Sequence, residues 1–376
     1  MNQKEVSELR RRFRPDKNAI SRIYGCYVNG GGEIVSELDE SLGTMPQEEA
    51  EKYLSLLKKA LSGTLGKNLI DIVFSTRQVA DSPEHRLLSD LRHSGLKDRS
   101  LRQAFYQRVI GSLDLEGNYL LLLAGDEYDV PRRGTDDALQ PGDEVFSYFV
   151  CCVCPVKNGR NELGYFPGEN EFHSCAAAQI VAAPELGFLF PAFDGRAANL
   201  YNALFYSRNA DALHQEFIDA VFHTEPPLSA AEQRETFRSA LRESLGQECS
   251  LEVVRTVHER LAERLAEHKQ SGDPEPPVQT AEDLCGILRE CGVSPERIAA
   301  FRDCCGRQFG AGAVWNPANL IDPGRFEVRT DQVTVSVDPE HSYLLETRTL
   351  GGRRYLLLPV DESVEVNGLE VASGKA

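Results

Sequence analysis

Apolar residues recur along this chain with two different periods, and the N-terminal part of the chain mixes both of them. Asn2 to Arg14 has a helical pattern, which Pro15 ends because proline lacks an amide hydrogen. Ile23 to Val28 and Glu33 to Leu38 flank three glycines, which allow the positive φ of a tight reversal. These two segments therefore predict a β-hairpin. Helical spacing returns over Ala50 to Leu61.

The clearest strand patterns lie between residues 118 and 193. Asn118 to Ala124 and Val145 to Cys154 are rich in Leu, Val, Phe and Tyr, and an acidic loop separates them. Gly187 to Phe193 predicts a third strand. Ala197 to Tyr206 and Ala210 to Phe222 resemble helices. Together these patterns predict a mixed sheet-and-helix domain over residues 1–225.

Beyond residue 225 the pattern becomes mainly helical. Two helices with narrow apolar seams predict an antiparallel helical hairpin over residues 226–270. Residues 271–280 hold three prolines among polar residues, which is typical of a semi-rigid linker. Residues 281–376 predict two short helices followed by alternating strands. The predicted fold class is therefore α+β, with an N-terminal mixed sheet-and-helix domain, a helical hairpin and a small C-terminal helix-plus-β unit.

The chain is strongly acidic, since 58 Asp and Glu residues against 41 Lys and Arg residues give a net charge of -17. Such a charge favours solubility and repels polyanions. No apolar run approaches the ~20 residues of a membrane-spanning helix, and the N-terminus lacks the apolar core of a signal peptide. Ten cysteines without a secretory signal indicate thiols in a reducing compartment. We therefore expect a cytoplasmic protein that does not enter membranes.

One basic segment departs from this acidic balance near the N-terminus. It could contact phosphate groups of a polyanion such as nucleic acid. The alternative is an amphipathic, solvated helix that docks on the protein's own acidic surface. The residues that would carry polyanion binding are Arg10, Arg11, Arg12, Arg14, Lys17 and Arg22.

An acidic group follows the predicted strand Asn118 to Ala124. Asp126, Glu127 and Asp129 would lie in the loop just past the end of that strand. Carboxylates grouped in this way can hold magnesium for phosphoryl chemistry. Charged surface loops are nevertheless ordinary, and no lysine or histidine stands at a spacing that completes a known site.

A cysteine-rich strand offers a second candidate metal site. Cys152, Cys154, His173 and Cys175 provide the sulfur and nitrogen ligands that zinc prefers. Side chains alternate along a strand, so Cys151 and Cys154 would point to opposite faces and could not share an ion. Cysteine is also among the most frequently buried residues, and packing thiols are the simpler interpretation.

No catalytic motif is complete in this sequence. Gly63 to Asn68 has glycines of a phosphate-binding loop, but Leu61 and Asn68 occupy the positions that require glycine and Ser or Thr. No histidine pair has zinc-hydrolase spacing, and no G-x-S-x-G elbow occurs. The sequence therefore identifies no catalytic residue and gives no reason to expect a cofactor.

Five stretches together resemble domain-of-unknown-function family 4317, a family of uncharacterised bacterial proteins. They are Arg10-Arg-Arg-Phe-Arg-Pro-Asp-Lys17, Met45-Pro-Gln-Glu-Glu-Ala-Glu-Lys-Tyr53, Leu61-Ser-Gly-Thr-Leu-Gly-Lys-Asn-Leu69, Glu185-Leu-Gly-Phe-Leu-Phe-Pro-Ala-Phe-Asp194 and Val364-Glu-Val-Asn-Gly368. The resemblance covers nearly the whole chain and implies no activity. The order of elements is also similar to that of bacterial nucleoid-associated proteins of the YejK/NdpA type, which would imply association with nucleic acid.

We therefore expect a non-enzymatic cytoplasmic binding or interaction protein. Its partner would be another protein, a second copy of the chain or nucleic acid. Two alternatives stay open at this point. One is a metal-dependent enzyme that acts on phosphate esters through Asp126, Glu127 and Asp129, and the other is a structural module stabilised by zinc.

Overall fold

A computed structural model of the chain describes residues 1–14, 16, 19–133, 139–140, 145–159, 162–175, 179–225, 227–273, 275–310, 312–359, 364–366 and 369–371. The contacts within it form two compact units. Unit 1 comprises Met1–Ala231 and Pro274–Pro276, and unit 2 comprises Glu232–Asp273 and Pro277–Ala376. Among the described residues, no helix combines the length and the apolar character needed to cross a membrane.

Unit 1 combines helices with a large sheet. Its helices are α1 (Gln3–Arg10), α2 (Gln47–Lys59), α3 (Thr76–Asp81), α4 (Pro83–His93), α5 (Arg99–Ile110) and α6 (Gln215–Phe222). Its strands are β1 (Arg22–Val28), β2 (Ile34–Ser41), β3 (Leu69–Val73), β4 (Asn118–Asp129), β5 (Arg132–Arg133), β6 (Leu139–Gln140), β7 (Val145–Asn158), β8 (Glu162–Phe166), β9 (Glu171–Cys175), β10 (Gln179–Val181), β11 (Leu186–Phe190), β12 (Ala192–Asp194), β13 (Ala197–Asn199) and β14 (Asn202–Ser207). The sequence-predicted hairpin is confirmed as β1 and β2, which pair antiparallel.

The strands of the described residues build an eight-stranded sheet in the order β2-β1-β4-β7-β11-β14-β3, and β10 adds to β7. Every pair in this sheet is antiparallel. The longest ladder joins β4 to β7, from Asn118 opposite Val156 to Asp129 opposite Val145. β7 is therefore the strand on which the middle of the sheet is built.

Helices cover both faces of this sheet. On one face, Leu121, Cys151 and Phe188 pack in a cluster with residues of α4, α5 and α6, including Phe105 and Phe222. On the other face, strand residues pack in a second cluster with residues of α1 and α2. Strands buried on both faces have continuous apolar runs, which explains the apolar segments at positions 119–124 of β4 and 148–154 of β7.

The segment from Ala197 to Tyr206 differs from its sequence-based prediction. It forms β13 and β14 rather than a helix. β14 hydrogen-bonds to β11 along one edge and to β3 along the other. A helix in the same place would make neither of these two ladders. Local helix propensity is worth only tenths of a kcal/mol per residue, and tertiary pairing overrides it.

Unit 2 is mainly helical. Its helices are α7 (Ala230–Leu245, of which the first two residues count to unit 1), α8 (Leu251–Ser271), α9 (Ala281–Glu290), α10 (Pro295–Phe309) and α11 (Pro317–Leu320), with 3-10 turns at Gly246–Glu248 and Pro339–Leu344. Its strands are β15 (Gln279–Thr280), β16 (Val314–Trp315), β17 (Phe326–Arg329), β18 (Thr334–Val337), β19 (Glu346–Leu350), β20 (Arg353–Leu357), β21 (Val364–Val366) and β22 (Leu369–Val371). They pair as short two-stranded ladders.

The division of the chain differs from the sequence-based one. Sequence patterns divide it into residues 1–225, a hairpin at 226–270, a linker at 271–280 and a module at 281–376, whereas its contacts divide between Ala231 and Glu232. Phe237 of α7 and Val257 of α8 belong to the same hydrophobic cluster as Leu284 of α9 and Phe301 of α10. The hairpin helices therefore share one core with the helices that follow the proline-rich segment.

The end of α2 packs closely against the sheet at Gly187. A Cβ at this position would lie 2.6 Å from the carbonyl oxygen of Cys151 and 2.8 Å from Cβ of Ala60. We expect Gly187→Ala to lower the free energy of unfolding by about 1–3 kcal/mol, because the packed neighbours must shift. Urea unfolding followed by far-UV circular dichroism measures the change. Gly286→Ala in α9, where a Cβ meets no atom within 4 Å, is the control and should not destabilise the protein. An unchanged midpoint for Gly187→Ala would contradict the close packing.

Candidate functional site

The basic N-terminal segment folds back onto the protein's own sheet. α1 ends at Arg10, and Arg12 lies next to the last residues of β4. The Arg12 guanidinium donates from Nε to Oδ2 of Asp126 at 2.8 Å and from Nη2 to Oδ1 at 2.9 Å. It also lies 4.6 Å from the centroid of the Tyr128 ring. Arg12 is thus held by a two-point ion pair and a cation–π contact.

Tyr148 is the second residue that donates to the Asp126 carboxylate. The register places Tyr148 of β7 opposite Asp126 of β4, and its hydroxyl donates to Oδ2 at 2.9 Å. The Asp126 side chain is 2% exposed and that of Arg12 is 25% exposed. Arg12, Asp126 and Tyr148 are called the clasp below.

The clasp stabilises the fold and is poorly suited to proton transfer. Burial, and then the neighbouring Asp126 carboxylate, raise the pKa of Tyr148 well above its ordinary value. The hydrogen bonds to Asp126 raise the pKa of Arg12. Tyr148 therefore stays a neutral donor at physiological pH, and Arg12 stays charged.

A second set of charged contacts anchors α1 beside the clasp. Glu8 of α1 accepts from the Tyr128 hydroxyl and from Nη1 of Arg196, each at 2.6 Å. Nη2 of Arg196 donates to the carbonyl oxygen of Pro131 at 2.8 Å. Burial and the hydrogen bond to Glu8 raise the pKa of Tyr128 to about 12. The N-terminal helix is therefore bound to the sheet by polar contacts as well as by its apolar residues.

Arg22, another candidate for polyanion binding, also pairs with a carboxylate of this protein. Its Nε donates to Asp39 of β2, the strand beside it. Asp39 accepts as well from Nη2 of Arg102 at 3.2 Å, and the Arg102 guanidinium lies 4.3 Å from the ring centroid of Tyr24. These contacts join the β1–β2 hairpin to α5.

The remaining members of the basic segment have different surroundings. Arg11 and Arg14 are exposed, and Arg14 lines a cavity of 580 Å³ together with Asp16. Arg10 is half-buried, and its Nε has no hydrogen-bond partner among the described residues. Lys17 lies outside the described residues. Two of the six candidates, Arg12 and Arg22, thus pair with carboxylates of the protein itself.

The three acidic candidates for magnesium are not gathered in a loop. β4 continues through Asp129, so Asp126, Glu127 and Asp129 are strand residues. Alternation along the strand turns Asp126 toward the clasp, whereas Glu127 and Asp129 point to the opposite face. Both oxygens of Asp126 already accept hydrogen bonds from Arg12. These three carboxylates therefore do not share one face of β4, because the strand is longer than its apolar run.

The cysteine–histidine candidates are separated by their burial. Cys152 and Cys154 are fully buried on the α2 side of β7, with their Sγ atoms 3.8 Å apart. Cys151 packs on the opposite face. His173 of β9 is 45% exposed and lies 3.0 Å from Oε2 of Glu169. The side chain of Cys175 lies outside the described residues. Cys152 and Cys154 therefore do not meet His173, and they contribute to the core.

Among the described residues, no group of three or more His, Cys, Asp or Glu side chains is arranged to hold a metal ion. The hydrogen bond to Cys154, followed by burial, raises the pKa of Cys152 well above its ordinary value. Burial likewise raises the pKa of Cys26 to about 12. These thiols stay protonated at physiological pH, which makes them poor metal ligands and poor nucleophiles.

A polar cleft of 290 Å³ adjoins the clasp. Its walls include Asp126, Tyr148, Arg92 and Lys97. Nε of Arg92 donates to the carbonyl oxygen of Ser147 at 2.7 Å, so this cation is bound to the backbone of β7. The cleft therefore brings charged residues together, but Asp126 and Arg92 already have partners within the fold.

An apolar groove of 570 Å³ lies between α2 and β10. Tyr53 and Leu56 of α2 form one side, Leu120 of β4 belongs to its floor, and Ile180 and Val181 of β10 form the other side. Ile180 is 59% exposed. Sequence patterns do not indicate this groove, because β10 has only three residues and follows a long excursion of the chain from β7.

Because Arg12 belongs to the clasp, its removal should lower stability more than the removal of a neighbouring arginine. Arg12→Ala leaves the buried Asp126 carboxylate without its ion-pair partner. We expect the free energy of unfolding to fall by about 2–4 kcal/mol, near the lower range for breaking a buried pair, since Arg12 is partly exposed. Urea unfolding measures the loss. Arg11→Ala, at an exposed position in the same segment, should change the free energy by less than about 0.5 kcal/mol. Equal stability of the two variants would contradict a structural role for Arg12.

The raised pKa of Tyr128 predicts that the protein loses stability at alkaline pH. Its pKa in the folded protein is about 12, whereas tyrosine in an unfolded chain ionises near pH ~10. Because the pKa of Tyr128 is higher in the folded than in the unfolded protein, the protonated tyrosine contributes to the free energy of unfolding. This contribution to stability is complete below about pH 10 and is lost as the pH rises toward about 12. In Tyr128→Phe, the slope of unfolding free energy against pH should become less steep over this interval. Tyr201→Phe, at an exposed position, is the control. Identical slopes for the wild type and Tyr128→Phe would contradict the raised pKa.

Comparison with known proteins places the chain in a family without assigning it an activity. No curated protein matches the chain. Residues 1–369 match the family model described as domain of unknown function (DUF4317), which confirms the resemblance seen in the sequence. Because this match spans nearly the whole length, the chain belongs to the DUF4317 family.

Proposed function

We propose that this chain is a non-enzymatic binding protein of the cytoplasm, which holds an extended segment of a partner protein along β10. The observation that carries this proposal is an unpaired strand edge next to an apolar groove. β10 pairs with β7 along one edge, and within the described sheet no strand pairs with its other edge. The cytoplasm is favoured because the cysteines whose side chains are described are free thiols, which is typical of a reducing compartment.

The backbone of β10 offers hydrogen-bonding groups at that open edge. In an antiparallel pair, the N–H and C=O groups of successive residues point alternately toward and away from the neighbouring strand. The amide of Ala182 donates to the carbonyl oxygen of Pro155 at 2.8 Å, so residue 182 faces β7. Val181 and Gln179 therefore direct their backbone groups away from β7. An added strand can pair with those groups.

The groove supplies side-chain contacts beside the open edge. Exposed strand edges with apolar side chains are a known liability, and folded proteins usually protect them with charge, proline or a bulge. β10 has no charged residue or proline among its three residues, Gln179-Ile180-Val181, and its short length limits the open edge to the backbone groups of Gln179 and Val181. Side chains of an added strand that point to the α2 face would adjoin Val181, which lies at the margin of the groove.

Charge favours a basic partner segment. The chain carries a net charge of -17, which repels a second copy and attracts a cationic segment. Glu49 and Lys52 both line the groove, so the preference for a cationic segment rests on the net charge of the chain and on Glu48 in the first turn of α2. We therefore assign to the groove an extended segment with alternating apolar and basic residues. Such charge complementarity acts mainly on the association rate and on specificity.

Binding of nucleic acid by the basic N-terminal segment stays a prediction, and it has weaker support than binding of a protein segment. Its carriers Arg12 and Arg22 pair with Asp126 and Asp39, which leaves Arg11 and Arg14 exposed. Phosphate binding by these exposed residues would weaken steeply with added salt. The protein-partner form is favoured because its site already combines backbone groups with an apolar groove.

A defined peptide tests the proposal. The probe is a fluorescein-labelled Lys-Val-Lys-Ile-Lys-Val-Lys peptide, and its binding is followed by fluorescence anisotropy. We expect Val181→Pro to weaken binding at least about tenfold, because proline removes the amide that faces the open edge and leaves the β7 ladder intact. Val181→Ala retains that amide and serves as the matched control.

Three outcomes would contradict the proposal. The first is absence of binding to the wild-type protein, and the second is equal binding by Val181→Pro and Val181→Ala. The third is equal binding of a peptide with Glu in place of Lys, which would remove the role of charge. Sedimentation analysis measures self-association of the protein. Self-association that Val181→Pro abolishes would show that the edge binds a second copy of the chain and not a partner protein.

A further inference from the structure

Unit 2 contains a basic hairpin, which is formed by β19 and β20 and spans residues 346–357. This segment has three arginines against one acidic residue, whereas the whole chain has a net charge of -17. Gly351 and Gly352 both have positive φ, at 57° and 81°, which is typical of a two-residue hairpin turn. All residues from 346 to 355 are exposed, so both faces of the hairpin are open to solvent.

Two of the three arginines have no carboxylate partner. Nη2 of Arg348 lies 2.9 Å from Oε2 of Glu346, which is the one acidic residue of the hairpin. Arg353 and Arg354, in contrast, form no ion pair with any residue that the structure describes. They follow the glycine turn directly. Two uncompensated positive charges therefore lie at the tip of the hairpin.

One face of the hairpin combines an aromatic ring with two guanidinium groups. The register places Arg348 opposite Tyr355 and Leu350 opposite Arg353. Paired residues of two antiparallel strands share a face, and so do residues two positions apart, so these four side chains lie on one face. Tyr355 is 43% exposed and Leu350 is 52% exposed. The Tyr355 ring is therefore accessible to a planar group, with cations beside it.

We propose that the basic hairpin binds single-stranded nucleic acid, so that a base stacks on the Tyr355 ring and phosphates contact Arg353 and Arg354. Proteins that bind single strands combine cations along the backbone with aromatic side chains that stack on bases. A planar guanidinium pairs with a phosphate through two hydrogen bonds. In a double helix the bases stay paired and stacked, so only a single strand offers a free base to Tyr355. The site goes beyond the proposed peptide groove, because its residues belong to unit 2.

Arg354 lies on the other face of the hairpin, where it is paired with Thr349. Among the described strands, β20 pairs with β19 alone, so its outer edge is open. The long side chain of Arg354 can reach a phosphate that passes along this edge. A flexible single strand can therefore contact Tyr355 on one face and Arg354 at the edge.

The acidic charge of the chain opposes binding mainly at long range. At physiological ionic strength, interactions between exposed charges more than about 8 Å apart are largely screened. Arg353 and Arg354 act at contact distance, so their attraction for a phosphate persists although the whole chain is acidic. An acidic protein segment could pair with the same arginines, but it has no base to stack on Tyr355. The exposed ring therefore favours nucleic acid over an acidic peptide.

A labelled oligonucleotide tests the two arginines. The probe is fluorescein-labelled oligothymidylate of about twelve nucleotides, a length within the range of single-strand sites, and fluorescence anisotropy follows its binding at several salt concentrations. We expect the double variant Arg353→Ala, Arg354→Ala to bind at least about tenfold more weakly. Its plot of log affinity against log salt should be less steep by about 1.4, because each phosphate contact to a single strand contributes about 0.7. The double variant Arg11→Ala, Arg14→Ala removes the same charge from the N-terminal segment and should leave the affinity unchanged.

Substitution of Tyr355 tests the stacking on a base. Tyr355→Leu keeps an apolar side chain but removes the ring, so it should weaken binding at least about fivefold. Tyr355→Phe keeps the ring and should bind like the wild type. The substituted positions are exposed, so the variants should fold as the wild type does, and their thermal unfolding midpoints check this.

The proposal is overturned if the wild type does not bind the oligonucleotide at low salt, or if the two double variants bind it equally well. It is also overturned if Tyr355→Leu binds as well as Tyr355→Phe, or if a duplex of the same length binds as tightly as the single strand. Polyglutamate that displaces the probe as effectively as unlabelled oligothymidylate would overturn it too, because the arginines would then belong to a site for an acidic protein segment.

Discussion

Burial of both faces of the antiparallel sheet is the constraint on which unit 1 depends. β7 hydrogen-bonds to β4 on one side and to β10 and β11 on the other, while helices cover it from above and below. Few positions on these central strands can reach water, so any polar side chain there needs a partner within the protein. Asp126 is the clearest example, since its carboxylate is buried near the end of β4.

The clasp follows directly from that burial. Arg12 and Tyr148 supply the donors that Asp126 needs, and supplying one of them requires the chain before β1 to return to the end of β4. The basic N-terminal segment thus acquires a structural role that its composition alone does not reveal. Its arginines compensate the protein's own carboxylates at Asp126 and Asp39. Such pairs orient the segment as much as they stabilise it.

The same constraint determines where accessible polar groups and apolar surface lie. Side chains that could carry out chemistry at the centre of the sheet are buried, paired or neutral, as Tyr148 and Cys152 are. Apolar surface lies instead at the margin of the sheet, where α2 adjoins β10 and no strand among the described residues pairs with the outer edge of β10. In unit 2 the exposed arginines of the basic hairpin lie outside the helical core. The groove and the hairpin belong to different units and can be altered independently.

Most local elements of this protein can be predicted from the order of its residues. Continuous apolar runs predict β4 and β7, glycines predict the β1–β2 reversal, and alternation predicts that Cys151 and Cys154 face different sides. Sequence motifs also identified the family, which the match over residues 1–369 confirmed. These features depend on neighbours in the chain, so a pattern along the chain can reveal them.

Which distant residues meet depends on the folded chain. Arg12 and Asp126 are 114 positions apart, and no periodic pattern links them. The Ala197 to Tyr206 segment became strands because β11 and β3 were available on either side of it, and β4 extended through its acidic residues because β7 continued opposite them. The edge of β10 that has no partner strand among the described residues likewise depends on what surrounds it in space. Pairing and burial are properties of the folded neighbourhood, which the order of residues does not display.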